Sequence, residues 1–164
     1  MQKMIRGSLG VLLFVAGSGL LSAADQYSGP RPEQTDVPFL LHANKLLRVE
    51  TLEAQQQDGK DATTYTVMGA TSPTRTPVPE PIFIFRSGKI NPEKLSLYRM
   101  DVKGGNRLLV MPNRPGKNSP KPVFLMVSRL DNGLFKVEVN EVLENGEYCM
   151  SPDGSNQVFC FTTY

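Results

Sequence analysis

The sequence predicts an all-β chain, a β-sandwich of about seven strands over residues 81–164 with an additional hairpin on its N-terminal side. Period-two alternation is one basis: Phe135, Val137 and Val139 interleave with Lys136, Glu138 and Asn140, so one face is buried and the other wet. Punctuation is another: from Ile82 onward the turn segments KGGN, PNRPGKNSPKP, DNG and SPDGSNQ recur about every ten residues, the spacing of short antiparallel strands. A third is the lack of any convincing amphipathic helix. The glutamine run within 46–57 suggests one, but an extended reading suits that stretch better.

Residues 1–24 precede any fold argument. Lys3 and Arg6 form a short basic start, Leu9 to Leu21 is an uncharged apolar run, and Ser22-Ala23-Ala24 supplies the small residues of a cleavage site. The run is shorter than the roughly 20 apolar residues that span a bilayer comfortably. The reading is therefore a cleaved signal peptide, an exported chain in the periplasm or outside the cell, and no membrane span after cleavage. Residues 25–37 look like a flexible lead. In 38–72, LLRVETLEAQQQ and ATTYTVMG read as two extended runs around DGKD, an N-terminal hairpin. Residues 73–81 hold Pro73, Pro77, Pro79 and Pro81, which lack amide donors and make a connector, not a sheet interior.

Seven strand candidates follow. IFIFR (82–86) is apolar on both faces, as a strand covered on both sides would be. LSLYRMDV and RLLVM flank KGGN. VFLMVSRL and LFKVEVNEV flank DNG, a strong hairpin signal. GEYCM and VFCFTTY close the chain. Residues 38–164 thus form a single domain.

Removing Lys3 and Arg6 leaves 16 basic against 16 acidic side chains, so the mature chain is neutral and its composition argues for no nucleic-acid partner. Charge is nevertheless uneven. Residues 102–130 hold six cations and no acid, whereas 131–164 hold six acids and only Lys136. Lys103, Arg107, Arg114, Lys117 and Lys121 are therefore candidates for holding an anionic polymer or glycan.

The two cysteines sit in the last strand pair. With Gly154-Ser155 at the turn tip, Cys149 falls opposite Cys160, Tyr148 opposite Phe161 and Met150 opposite Phe159. That register puts four large apolar residues on one face and both cysteines on the other. A type I turn with a bulge at Pro152-Asp153-Gly154 would move the cysteines out of opposition. Export permits oxidation, and the expected role is a structural disulfide, with no reactive thiol and no metal site.

Catalytic and metal signals are weak. His42 is the only histidine and stands alone beside an apolar run, so a triad finds no support. No spacing singles out a carboxylate pair. Asp153, Gly154 and Asn156 are explained by turn chemistry without calcium. Lys103-Gly-Gly-Asn106 reads as a hairpin turn and not a phosphate loop. The lack of tryptophan weighs against a carbohydrate platform, and the proline loops against an outer-membrane barrel. No cofactor is expected.

Leu143-Glu-Asn-Gly146-Glu-Tyr148 resembles the tyrosine corner of immunoglobulin-like and fibronectin type III-like sandwiches. The resemblance covers about half of the chain. It implies an immunoglobulin-like core over 81–164, with the Tyr148 hydroxyl bonded to backbone a few residues upstream and Leu143 and Gly146 shaping the corner. Asn145 stands where proline is common, and Cys149 follows the tyrosine by one residue, so it points away from the inter-sheet cysteine position. The functional expectation is a non-enzymatic binding or assembly module of the cell envelope with a protein partner. A polyanion-binding module is the first alternative and an envelope hydrolase with unidentified carboxylates the second.

Overall fold

The computed structural model describes residues 27–164; the expected signal peptide lies outside the described residues. Thirteen strands are described: β1 (Pro38–His42), β2 (Lys45–Arg48), β3 (Glu50–Glu53), β4 (Gln55–Asp58), β5 (Ala62–Val67), β6 (Arg75–Thr76), β7 (Ile82–Arg86), β8 (Leu95–Lys103), β9 (Asn106–Pro112), β10 (Leu125–Asp131), β11 (Leu134–Val139), β12 (Gly146–Pro152) and β13 (Gln157–Thr163). A single 3₁₀ turn, Pro92–Lys94, precedes β8. No helix among the described residues is long and apolar enough to cross a membrane.

The strands form two sheets. One has five antiparallel strands in the order β10-β11-β7-β1-β2. The other has eight: seven run in the order β3-β13-β12-β8-β9-β5-β4, and β6 lies parallel beside the C-terminal end of β13. The seven strands expected from Ile82 onward are β7 to β13. β7 is the middle strand of its sheet, and Phe83, Ile84 and Phe85 are all buried, as its two-faced apolar sequence requires.

The N-terminal stretch is richer than one hairpin. Residues 38–67 supply five strands, and the run from Lys45 to Asp58 is divided at Val49 and Ala54. β2 pairs with β1 in the first sheet, β3 with β13 and β4 with β5 in the second. The β1–β2 hairpin turns on Ala43 and Asn44, both at positive φ, 45° and 62°. This is the geometry of a two-residue primed turn, written without glycine. The proline-rich connector contributes only the two-residue strand β6, and it is tied to the sheets further where the Val139 amide donates to the Pro81 carbonyl at 3.1 Å and the Glu50 amide to the Thr74 hydroxyl at 3.0 Å.

The sandwich core lies between the five-stranded sheet and the β8-β12-β13 part of the larger one. Phe83, Phe85, Val137 and Val139 meet Leu95, Leu97, Tyr148, Met150, Phe159 and Phe161, all nearly free of solvent. Phe83 and Phe161 rings lie 5.1 Å apart. Each such side chain contributes about 1.5–3 kcal/mol on burial.

At the corner before β12, the Tyr148 hydroxyl donates to the Glu144 carbonyl at 2.9 Å, and the Thr163 hydroxyl donates to the same oxygen at 2.7 Å. Leu143 is buried in the core. Gly146 leaves room for the Arg99 guanidinium, whose Nε would lie 3.3 Å from a β-carbon at that position. Burial raises the Tyr148 pKa above the ordinary phenol value despite the neighbouring Arg99.

β12 and β13 pair in the expected register, with Tyr148 opposite Phe161, Cys149 opposite Cys160 and Met150 opposite Phe159. Cys149 and Cys160 form a disulfide with their Cα atoms 4.1 Å apart. Both are almost fully buried. Replacing both by alanine should cost about 2–3 kcal/mol, read by calorimetry as a lower melting temperature. Alkylation and mass analysis of the native protein in mild reductant should find no free thiol until the chain is partly unfolded. Rapid labelling of the native protein would contradict this burial.

Candidate functional site

The larger sheet does not stay open. Its two edge strands, β3 and β4, are separated in the chain by Ala54 alone. The edges therefore meet there, and the sheet rolls into a barrel of six strand lines. Ala54 is buried, and its amide donates to the Asn156 carbonyl at 2.8 Å.

Strict alternation decides what faces inward. Glu50 pairs with Cys160, Cys160 with Cys149, and Cys149 with Tyr98, so these four side chains share a face. Leu52 pairs with Val158, Ser151 with Ser96, Gln56 with Tyr65, and Tyr65 with Leu109 on that same face. The cysteine face, turned away from the sandwich core, is thus the barrel interior. Ala54, Val67, Met100, Cys149, Val158 and Cys160 form a second small core there, with Leu52, Tyr65 and Leu109 packed against it.

One end of this barrel is plugged. Arg107 on β9 is fully buried. Its Nη1 donates to Glu50 Oε2 at 2.7 Å, its Nη2 to the Met68 carbonyl at 2.9 Å and its Nε to the Gly69 carbonyl at 3.0 Å. Glu147 comes within 3.9 Å of the same guanidinium and accepts from the Ser72 amide at 3.0 Å and the Thr162 hydroxyl at 2.8 Å. The Met68–Ser72 segment crosses this end, anchored where the Ser72 hydroxyl donates to the Cys160 carbonyl at 2.9 Å. No buried side-chain nitrogen or oxygen among the described residues lacks a partner. A buried charge survives only when paired and hydrogen-bonded, and all three charged groups meet that condition.

The other end is open. Between the plug and the mouth lies a half-open cup of about 630 Å³, within the size range of small-ligand sites. Its floor and walls are Val67, Met100, Leu109, Met111, Tyr65 and Tyr98 with the Cys149 side chain. Its rim is polar: Glu53, Gln56, Ser96, Ser151 and the Asp153–Asn156 turn. Asp58, beside the rim, accepts from Gln56 Nε2 at 2.9 Å and Thr63 Oγ1 at 3.0 Å, and these two bonds hold its carboxyl below the usual carboxylate range.

The five cations singled out in the sequence do not stand together. Arg107 is withdrawn from any polyanion surface, because it is the buried plug and both of its charged partners are internal. Lys103 is exposed on the β8–β9 hairpin at the plugged end. Arg114, Lys117 and Lys121 are exposed on the loop that leaves β9 at the open end. His42 is exposed beside the β1–β2 turn. Asp153, Gly154 and Asn156 are part of the cup rim, a role that turn chemistry alone did not suggest.

The cup was not anticipated, although its signal was present. Ser96, Tyr98 and Met100 alternate with Leu95, Leu97 and Arg99, and Arg107, Leu109 and Met111 alternate with Leu108 and Val110. Strands with both faces partly apolar need two buried surfaces. Comparison with protein-family models, with curated proteins and with solved structures yields no match to this chain.

Changing Arg107 to methionine should destabilise the protein by about 3–5 kcal/mol, because buried Glu147 and partly buried Glu50 would lose their counter-charge. Chemical denaturation of the variant measures this. The triple change of Arg107 to methionine with Glu50 and Glu147 to glutamine should recover part of the loss.

Proposed function

We propose that this chain is an exported, non-enzymatic binding module of the cell envelope, and that it holds a small ligand with an apolar body in the cup of its rolled sheet. The single observation that carries the reading is the half-open cup of about 630 Å³, plugged at one end and lined mainly by apolar and aromatic side chains. Burying apolar ligand surface there supplies affinity, and the polar rim supplies orientation. The buried disulfide suits an oxidising compartment, in keeping with the signal-peptide reading of residues 1–24. The Tyr148–Glu144 hydrogen bond supports the immunoglobulin-like reading of residues 81–164. A protein partner would find apolar side chains at the edge strand β10, where Met126 and, just before the strand, Phe124 are exposed.

N-phenyl-1-naphthylamine, a neutral dye that brightens in apolar surroundings, tests the cup. The mature protein should bind it with one-to-one stoichiometry. Filling the mouth by Ser96→Trp should abolish the signal without lowering the melting temperature by more than a few degrees. Equal dye binding by the filled variant would refute the cup as the binding site.

A second reading, an anionic polymer on the surface, rests on Arg114, Lys117 and Lys121, three exposed cations on a loop with no acid between Asn113 and Pro122. Changing these three to glutamine should shorten retention on a heparin column, while Lys103→Gln at the opposite end should not. Hydrolysis by a carboxylate pair is less well supported. Burial tends to raise the Asp36 pKa, but the Ile90, Lys89 and Gly88 amides outweigh it, and Arg31 holds Asp131 down. With Asp58, the perturbed aspartates all shift away from the range of a general acid.

A further inference from the structure

The charge pattern of the cup narrows its ligand further, an inference that rests on the cup being the binding site. Its floor is made by Val67, Met100 and Leu109, with Tyr65, Tyr98 and Met111 above them. This lining holds no hydrogen-bonded array deep inside, so the ligand's inner part is hydrocarbon. Polar and charged groups gather only at the mouth. There the charged lining residues are Asp153 and Glu53, both exposed and both acidic; Glu53 follows the inward-facing Leu52 by one residue, so its side chain stands on the outer side of the rim. No lysine, arginine or histidine lines the cup. Lys94 is exposed outside the cup, where its backbone carbonyl accepts from the Asp153 amide at 3.1 Å.

An anionic head at this mouth would meet two rim carboxylates and no lining counter-charge. A cationic head would be attracted to them. We infer that the cup takes a small cationic amphiphile: a hydrocarbon or aryl body reaching toward Met100, and an ammonium head held at the Glu53–Asp153 mouth. The disulfide braces the wall behind the hydrocarbon body, since Cys149 lines the cup and Cys160 joins it across the β12–β13 ladder.

Competition against the bound dye tests the inference. Decyltrimethylammonium, decyl glucoside and decyl sulfate share one chain and differ in head charge, and each is used on the mature protein below its micelle concentration. The ammonium should displace the dye about tenfold more effectively than the sulfate at low salt, with the glucoside between them. The exposed pair Glu53→Gln and Asp153→Asn should remove most of that preference, read as the ratio of ammonium to sulfate potency. Equal potency of the three compounds, or an unchanged ratio in the double variant, would overturn the cationic head while leaving the cup reading intact. Stronger binding of the sulfate, lost when Arg114, Lys117 and Lys121 are neutralised, would also overturn it and assign the head to the basic loop. Dye binding that survives Ser96→Trp would remove the cup reading and this inference together.

Discussion

The register of β12 against β13 is the constraint on which the rest of the molecule depends. These two strands belong at once to the sandwich and to the rolled sheet, and their side chains alternate between the two interiors. Tyr148, Met150, Phe159 and Phe161 fill the sandwich core; Cys149, Val158 and Cys160 fill the barrel. A slip of one residue would exchange the two sets, pushing Glu147 and Thr162 into the sandwich core and the four large residues into a space lined for smaller ones. The disulfide fixes that register covalently. It forms only because the two cysteines are direct partners, so the ladder and the covalent bond enforce the same alignment.

The barrel follows from that alignment together with a chain run that changes partners. Lys45 to Asp58 is nearly continuous extended backbone, yet it pairs first with β1, then with β13 and then with β5. Because β3 and β4 are one run, the strands paired with each half must come around to meet. Closure leaves the larger sheet without two exposed seams, which lowers its exposure to edge-to-edge association. It also creates an interior only partly filled by side chains, and the cup is the unfilled part.

Polar groups are arranged to keep that interior open at one end only. Arg107 pairs with two carboxylates and caps the Met68 and Gly69 carbonyls, and no buried side-chain nitrogen or oxygen among the described residues is left without a partner. The open end keeps its polar residues on exposed turns, where solvent satisfies them. Apolar walls between a satisfied plug and a wet rim are what a ligand site of this size requires.

Much of the fold was legible locally. Alternation and turn residues identified the seven strands from Ile82 on, because period two and the Gly-Gly and Asn-Gly turns act within a few residues. β1 escaped notice because its turn, Ala43-Asn44, takes positive φ without glycine, so the sequence marks the bend only by Asn44. Arg107 looked like a surface cation because its partners, Glu50 and Glu147, are distant in sequence on β3 and β12. Burial of a charge depends on which strands become neighbours, and no local pattern encodes that. By itself the sequence determined the all-β class and the two-faced strands and made opposed cysteines one of two registers, since each follows from backbone periodicity and short-range turn chemistry. Only tertiary structure decided that the larger sheet closes at Ala54, that one end is plugged by a buried ion cluster and that the other forms a cup, because each depends on pairings between residues far apart in the chain.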